Sequence, residues 1–139
     1  MVKTQRNLVE LDRAQALGLL ERAPFGRVAF ISEGFPTIRP YNHVVVDGEI
    51  IVHTRQSTAF AQAVIESAGL EVAFQADEIE PHHRLGWSVV VSGIASEMTD
   101  RRRAEPLARQ VRTWIDHPMN TVIVIKPQVV SGFRLTVAN

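Results

Sequence analysis

The residues best equipped for chemistry lie between His53 and Thr58, HTRQST, where a histidine, an arginine and three hydroxyl side chains fall within a few positions. Immediately after them Phe60, Ala61, Val64, Ile65 and Ala68 recur at helical spacing and predict a helix that stops at Gly69. A strand end, a fixed cation (Arg55), two hydroxyls (Ser57, Thr58) and the free amides of a helix start would therefore converge. Such a convergence suits an anion, through oriented N–H groups and the positive end of the helix dipole. The plainer alternative is that Ser57 or Thr58 only caps the helix while Arg55 is a solvated cation.

Histidines are the obvious groups for proton or metal chemistry near neutral pH, and there are five: His43, His53, His82, His83 and His117. His82 and His83 are adjacent in a polar stretch, where extended backbone points them apart, so no metal site is expected. His117 precedes Pro118 and suits a helix end. On an extended segment Tyr41 and His43 share one face and Asn42 and Val44 the other, which makes Asn42 an inward or cofactor-facing polar group if Val44 is core. His53 closes a strand just before the polar loop, either as a half-buried strand residue or as a reactive one. Arg101-Arg102-Arg103 reads as a solvated helix face. No G-x-G-x-x-G, Walker, G-x-S-x-G or H-E-x-x-H pattern occurs.

The elements that must position these groups are short strands. Thr37 to Val46 and Glu49 to Thr54 flank Asp47-Gly48, a dipeptide suited to a type I′ hairpin turn because both central residues need positive φ. Residues 1 to 10 read as a loosely ordered arm, and Asp12 with Gln15 predicts a capping box that starts a helix carrying Leu11, Ala16, Leu19 and Leu20. Strands are expected at Arg27 to Ser32, Glu71 to Ala76 and Gly86 to Met98, the last bent or bulged at Gly93. Asp77 to Leu85 reads as a polar connection around Pro81. A third helix opens at Thr99-Asp100 with Leu107, Val111, Trp114 and Ile115 on one side. Thr121 to Ile125 and Val129 to Val137 read as two final strands parted by Lys126-Pro127-Gln128. Six or seven antiparallel strands with three short helices predict a mainly β fold, a closed or partly closed β-barrel with helices at its ends.

At 139 residues the chain reads as one domain, 1–139. Lys plus Arg balances Asp plus Glu at 15 each, so no positive field favours nucleic acid, and the apolar runs are too short to span a bilayer as helices. Cysteine is absent, which removes disulfides and thiolate chemistry. The first residues lack an apolar signal core, making a cytoplasmic setting the default.

The ordered series FGRVAFIS, GFPTIRPYNHVVVDGEIIVHT, LEVAFQAD and GWSVVVSGIASEM resembles the pyridoxamine 5′-phosphate oxidase-like flavin-binding family, over about Leu11 to Leu135. The resemblance implies a split β-barrel homodimer that holds flavin mononucleotide (FMN) in clefts between the subunits. It places the flavin ring along Arg39-Pro40-Tyr41-Asn42, the phosphate near His53, Thr54, Arg55, Ser57 and Thr58, and Trp87-Ser88 at the cleft. The branch it is most similar to includes nitroimidazole-resistance proteins, in which a segment like Val52-His53-Thr54 puts its histidine near the flavin; this makes His53 the expected catalytic residue. A related subgroup uses a deazaflavin, and a non-catalytic flavin- or haem-binding storage role is a further alternative. Where the family usually carries Gly-Ser-Lys, this chain has Ser57-Thr58-Ala59. Loss of that lysine removes a charge-assisted contact of about 1.5–3 kcal/mol. Pyridoxamine 5′-phosphate oxidation itself is not expected, because the C-terminal segment VVSGFRLTVAN offers only Arg134 for a substrate phosphate. An unidentified small molecule is the expected substrate.

Overall fold

The structure, a computed structural model, describes residues 6–111 and 119–137. The expected helix residues Trp114 and Ile115 and the helix-ending His117 lie outside the described residues. Eight strands and three helices are described: β1 (Arg6–Glu10), α1 (Arg13–Arg22), β2 (Gly26–Ser32), β3 (Phe35–Tyr41), β4 (Val44–Val46), β5 (Glu49–Thr54), α2 (Ala59–Ile65), β6 (Leu70–Glu80), β7 (Leu85–Glu97), α3 (Arg101–Gln110) and β8 (Thr121–Val137).

Local sequence signals set most of the element starts. Asp12 accepts the Gln15 amide at 2.8 Å while the Gln15 side chain accepts the Asp12 amide at 3.0 Å, a closed capping box at the head of α1. Asp47 and Gly48 have φ of 52° and 75°, the two positive values the type I′ turn between β4 and β5 needs. Asp100 caps α3 by accepting the Arg102 amide at 3.0 Å.

All the strand pairings are antiparallel, in the order β3-β2-β6-β7-β8-β5-β4, with β1 added along the distal half of β8. β3 and β4 stand at opposite ends of that order, yet only Asn42 and His43 separate them in the chain. Three Cα–Cα steps reach about 11 Å at most, so the sheet has to curl until its two edges nearly meet. The result is a barrel with an unpaired seam at Asn42-His43. Its interior is filled by Val28, Phe30, Val52, Phe60, Phe74, Val89 and Val91, with α1 contributing Ala16, Leu19 and Leu20. No described helix is long and apolar enough to cross a membrane.

Four expectations about strand boundaries change. The run Thr37 to Val46 is not one hairpin arm: its first part pairs with β2 and only Val44–Val46 pairs with β5. Residues 6–10, expected in a loose arm, form β1. Asp77–Glu80, expected in a connection, extends β6 as far as the turn at 81–84. The two expected final strands are a single strand, β8, because Pro127 lies opposite Gly93 at a register shift, where its missing N–H does no damage. Gly93 allows the close approach there, since a Cβ would collide with the Lys126 carbonyl.

Candidate functional site

β5 carries different residues on its two faces. Ile50 and Val52 enter the barrel core, whereas Ile51 joins Val111, Val122 and Val124 in a smaller cluster under α3. Alternation places His53 on the α3 side, half-buried, in a groove of about 730 Å³ shared with Met98, Arg101, Glu105, Arg109 and Asn120. Burial pushes the His53 imidazole below its ordinary pKa of 6.5, against hydrogen bonding to the backbone of Met119 and Ala108. At neutral pH His53 is therefore an uncharged ring able to accept or donate a hydrogen bond.

After β5 the chain enters the loop at 55–58. Thr58 Oγ1 accepts the Ala61 amide at 3.2 Å and donates to the Arg55 carbonyl at 3.0 Å, so Thr58 is the helix cap. Thr58 N–H also closes on the Arg55 carbonyl, at 3.1 Å. The Gln56 amide donates to Asn120 Oδ1 at 2.8 Å, and Gln62 Nε2 donates to the Gln56 carbonyl at 2.7 Å. Thr54 is buried at 3% exposure and contributes its carbonyl, which accepts the Asn120 amide at 3.2 Å. Ser57 is exposed, and the half-buried Arg55 has its Nε buried with no hydrogen-bond partner. α2 is only seven residues long and ends at Ile65, not at Gly69, so its dipole adds little. What the loop offers an anion is chiefly the Arg55 guanidinium and Ser57. An orphaned buried donor is costly unless something satisfies it.

Of Arg39–Asn42, the structure brings Tyr41 to the helix that follows this loop. Tyr41, at the end of β3, stacks at a tilt on Phe60, the second residue of α2, with ring centroids 5.5 Å apart, and Phe60 meets Phe30 at 5.2 Å. Arg39 and Pro40 are exposed beside it, with Arg39 Nη1 bonded at 2.9 Å to the neighbouring Ile38 carbonyl. The strand alternation that put Asn42 and Val44 on one face is interrupted, and Asn42 is half-buried. The backbone leaves the strand at residues 42 and 43, and it is His43 that is buried, its Nε2 2.7 Å from the Leu20 carbonyl and its ring edge-on to Phe74 at 5.0 Å.

Trp87 and Ser88 are not brought to the same place. Trp87 pairs with Arg134 on β8, thirteen positions along from Thr121, the partner of Thr54. That is up to about 40 Å of strand. Trp87 is packed into the barrel core at 8% exposure, and Ser88 is half-buried. At the turn after β6, His83 Nδ1 pairs at 2.8 Å with Glu80, and no group of three or more metal-ligating side chains occurs among the described residues. Asn120 is the site residue that sequence reasoning missed: a lone asparagine has no motif, and its partner Gln56 is 64 residues away.

Comparison with known proteins gives the class. The profile of the pyridoxamine 5′-phosphate oxidase family matches residues 12–134, and the chain belongs to that family. An uncharacterized protein of Mycobacterium tuberculosis is 42% identical over 135 residues, covering 96% of this chain and 89% of its own length. Among solved structures, a provisionally assigned pyridoxamine 5′-phosphate oxidase of Corynebacterium glutamicum superposes with a TM-score of 0.77 at 25% identity, covering all of this chain and 98% of that one. An FAD-binding protein of Mycobacterium smegmatis has the same fold, with a TM-score of 0.75 at 23% identity over 94% of this chain and 99% of that one. The open-seamed barrel is thus the split barrel of this family.

Proposed function

We propose that this protein binds a flavin, FMN, between two copies of itself and acts as an oxidoreductase on a small organic molecule in the cytoplasm. The observation that carries the reading is the half-buried Arg55, its Nε without a hydrogen-bond partner, two residues before the exposed Ser57 in the loop that leads into α2. A phosphate monoester is an acceptor of the right kind for both, and Arg55 stands in for the lysine replaced by Ala59. Family membership and the FAD-binding relative support a flavin as the owner of that phosphate.

On this reading Arg55 and Ser57 hold the phosphate, and the exposed strand end Arg39-Pro40-Tyr41-Asn42 lines the ring through its backbone. Thr58 and Thr54 shape the loop without touching the anion. When bound, the flavin supplies hydride or electron transfer. His53, kept neutral by burial, faces the substrate as a hydrogen-bonding group. Trp87 and Ser88, on β7 opposite Arg134 and Phe133 of β8, would serve the cleft of a second copy. A two-fold dimer would also cover the apolar outer face around Ile31 and Ile38, exposed at 54% and 60%.

Titration of the purified protein with FMN, FAD and a deazaflavin tests the cofactor directly, with FMN expected to saturate at the lowest concentration. Arg55→Ala combined with Ser57→Ala should weaken FMN binding by one to two decades, the scale of lost charge-assisted hydrogen bonds, while the apo melting temperature stays close to that of the parent. Equal affinity in variant and parent would put the phosphate elsewhere.

A further inference from the structure

We infer that Asn120 is a positioning residue for the flavin phosphate: from across the chain, it fastens the 55–58 loop to the start of β8. This rests on the proposed phosphate site at Arg55 and Ser57. Asn120 comes just before β8 and makes three bonds around the loop. Its Oδ1 accepts the Gln56 amide at 2.8 Å and the Thr121 hydroxyl at 3.1 Å, and its own amide donates at 3.2 Å to the carbonyl of Thr54, the last residue of β5. The Gln56 bond ties the residue that separates Arg55 from Ser57. The remaining ties are internal to the loop and α2: Thr58 holds the Arg55 carbonyl and Gln62 the Gln56 carbonyl, so Asn120 supplies the side-chain tie from outside them.

Removing the side-chain acceptor leaves the Gln56 amide without its partner and loosens the seat of the loop, while the cap on α2 and the barrel pairing stay in place. The Arg55 and Gln56 carbonyls stay held within the loop by Thr58 and Gln62, so what is lost is the bond by which a side chain outside the loop fastens it to the start of β8. A ligand that uses the loop only for its phosphate should feel this loss, and one without a phosphate should not. Asn120 also lines the groove that holds His53, so the same side chain sits between the phosphate loop and the proposed substrate side.

FMN and riboflavin differ by the phosphate alone and give the test. In Asn120→Leu, which keeps the volume and loses the acceptor, FMN affinity should fall about five- to tenfold, as for one lost hydrogen bond, while riboflavin affinity stays within about twofold of the parent. Exchange of the Gln56 amide with solvent should accelerate in the same variant. Asn120→Asp retains an acceptor oxygen at that position and should restore the slow exchange. Unchanged FMN affinity in Asn120→Leu, or an equal loss for both flavins, overturns the inference, the latter making Asn120 a residue of the barrel alone. A parent protein that binds FMN no better than riboflavin overturns the placement of the phosphate instead, and does so before any variant is made.

Discussion

The two faces of β5 are built from alternate residues of one six-residue strand and come out opposite in character. Ile50 and Val52 point into a packed interior with Phe30, Phe60 and Phe74, where the one histidine, His43, is buried at 7% exposure. Ile51 and His53 point toward α3, a helix with no fully buried residue, and leave a groove beside a small cluster. One face is close-packed and stores the stability, and the other has room, charge and a half-exposed imidazole. A β-strand allows this because its side-chain period is two: rigidity on one side fixes the backbone that aims the other.

The comparison predicts unequal costs. Phe60→Ala, at the centre of the ring cluster, should destabilise the fold by about 3–5 kcal/mol in denaturant titration. A loss under about 1 kcal/mol would mean that the interior collapses around the cavity and is not close-packed.

Acid should act through the sealed face next. Burial holds the folded His43 pKa below 6.5, opposed only by the Leu20 carbonyl, so folding favours the neutral ring. Its contribution is therefore complete above pH 6.5 and is lost as the pH falls from there toward the folded pKa, at no more than about 1.4 kcal/mol per pH unit. Protonation would also add a donor at Nδ1, which is buried and unpartnered. His43→Phe should flatten the fall in stability between pH 6.5 and 5; a slope equal to the parent's would assign it to other groups, His53 among them.

The smallest effect on stability is expected from His53→Ala, within about 1 kcal/mol by the same titration, with flavin affinity unchanged and turnover lost. Retained turnover would return His53 to a role in packing under α3.

Much of this architecture could be read from the residues alone, wherever a local rule operates. Asp12 with Gln15, Asp47-Gly48 and Asp100 each satisfy or direct backbone groups within a few positions, so their elements begin where expected. Gly93 signalled the bulge because only a residue without Cβ fits there. Elements whose limits depend on distant partners were not legible. Asp77–Glu80 extends β6 where the residues are exposed, so the alternation that marks a half-buried strand disappears. Pro127 looked like a break because its harmless position opposite Gly93 is a fact about β7. Tyr41 and Val44 looked like one arm because strand-forming residues continue across Asn42-His43, although those residues belong to opposite edges of the sheet. At the candidate site, the cap at Thr58 was legible from residue type, whereas the burial of Trp87, for which periodicity offers no rule, was not.

β8 pairs with β7, β5 and β1, and it is the last described strand to leave the ribosome. Until residues 121–137 emerge, β5 and β7 each keep a bare edge, and the loop that Asn120 fastens has no anchor. Vectorial synthesis therefore exposes strand edges of the kind that template aggregation until β8 emerges. The barrel closes late, and the proposed cofactor site would form in the same step.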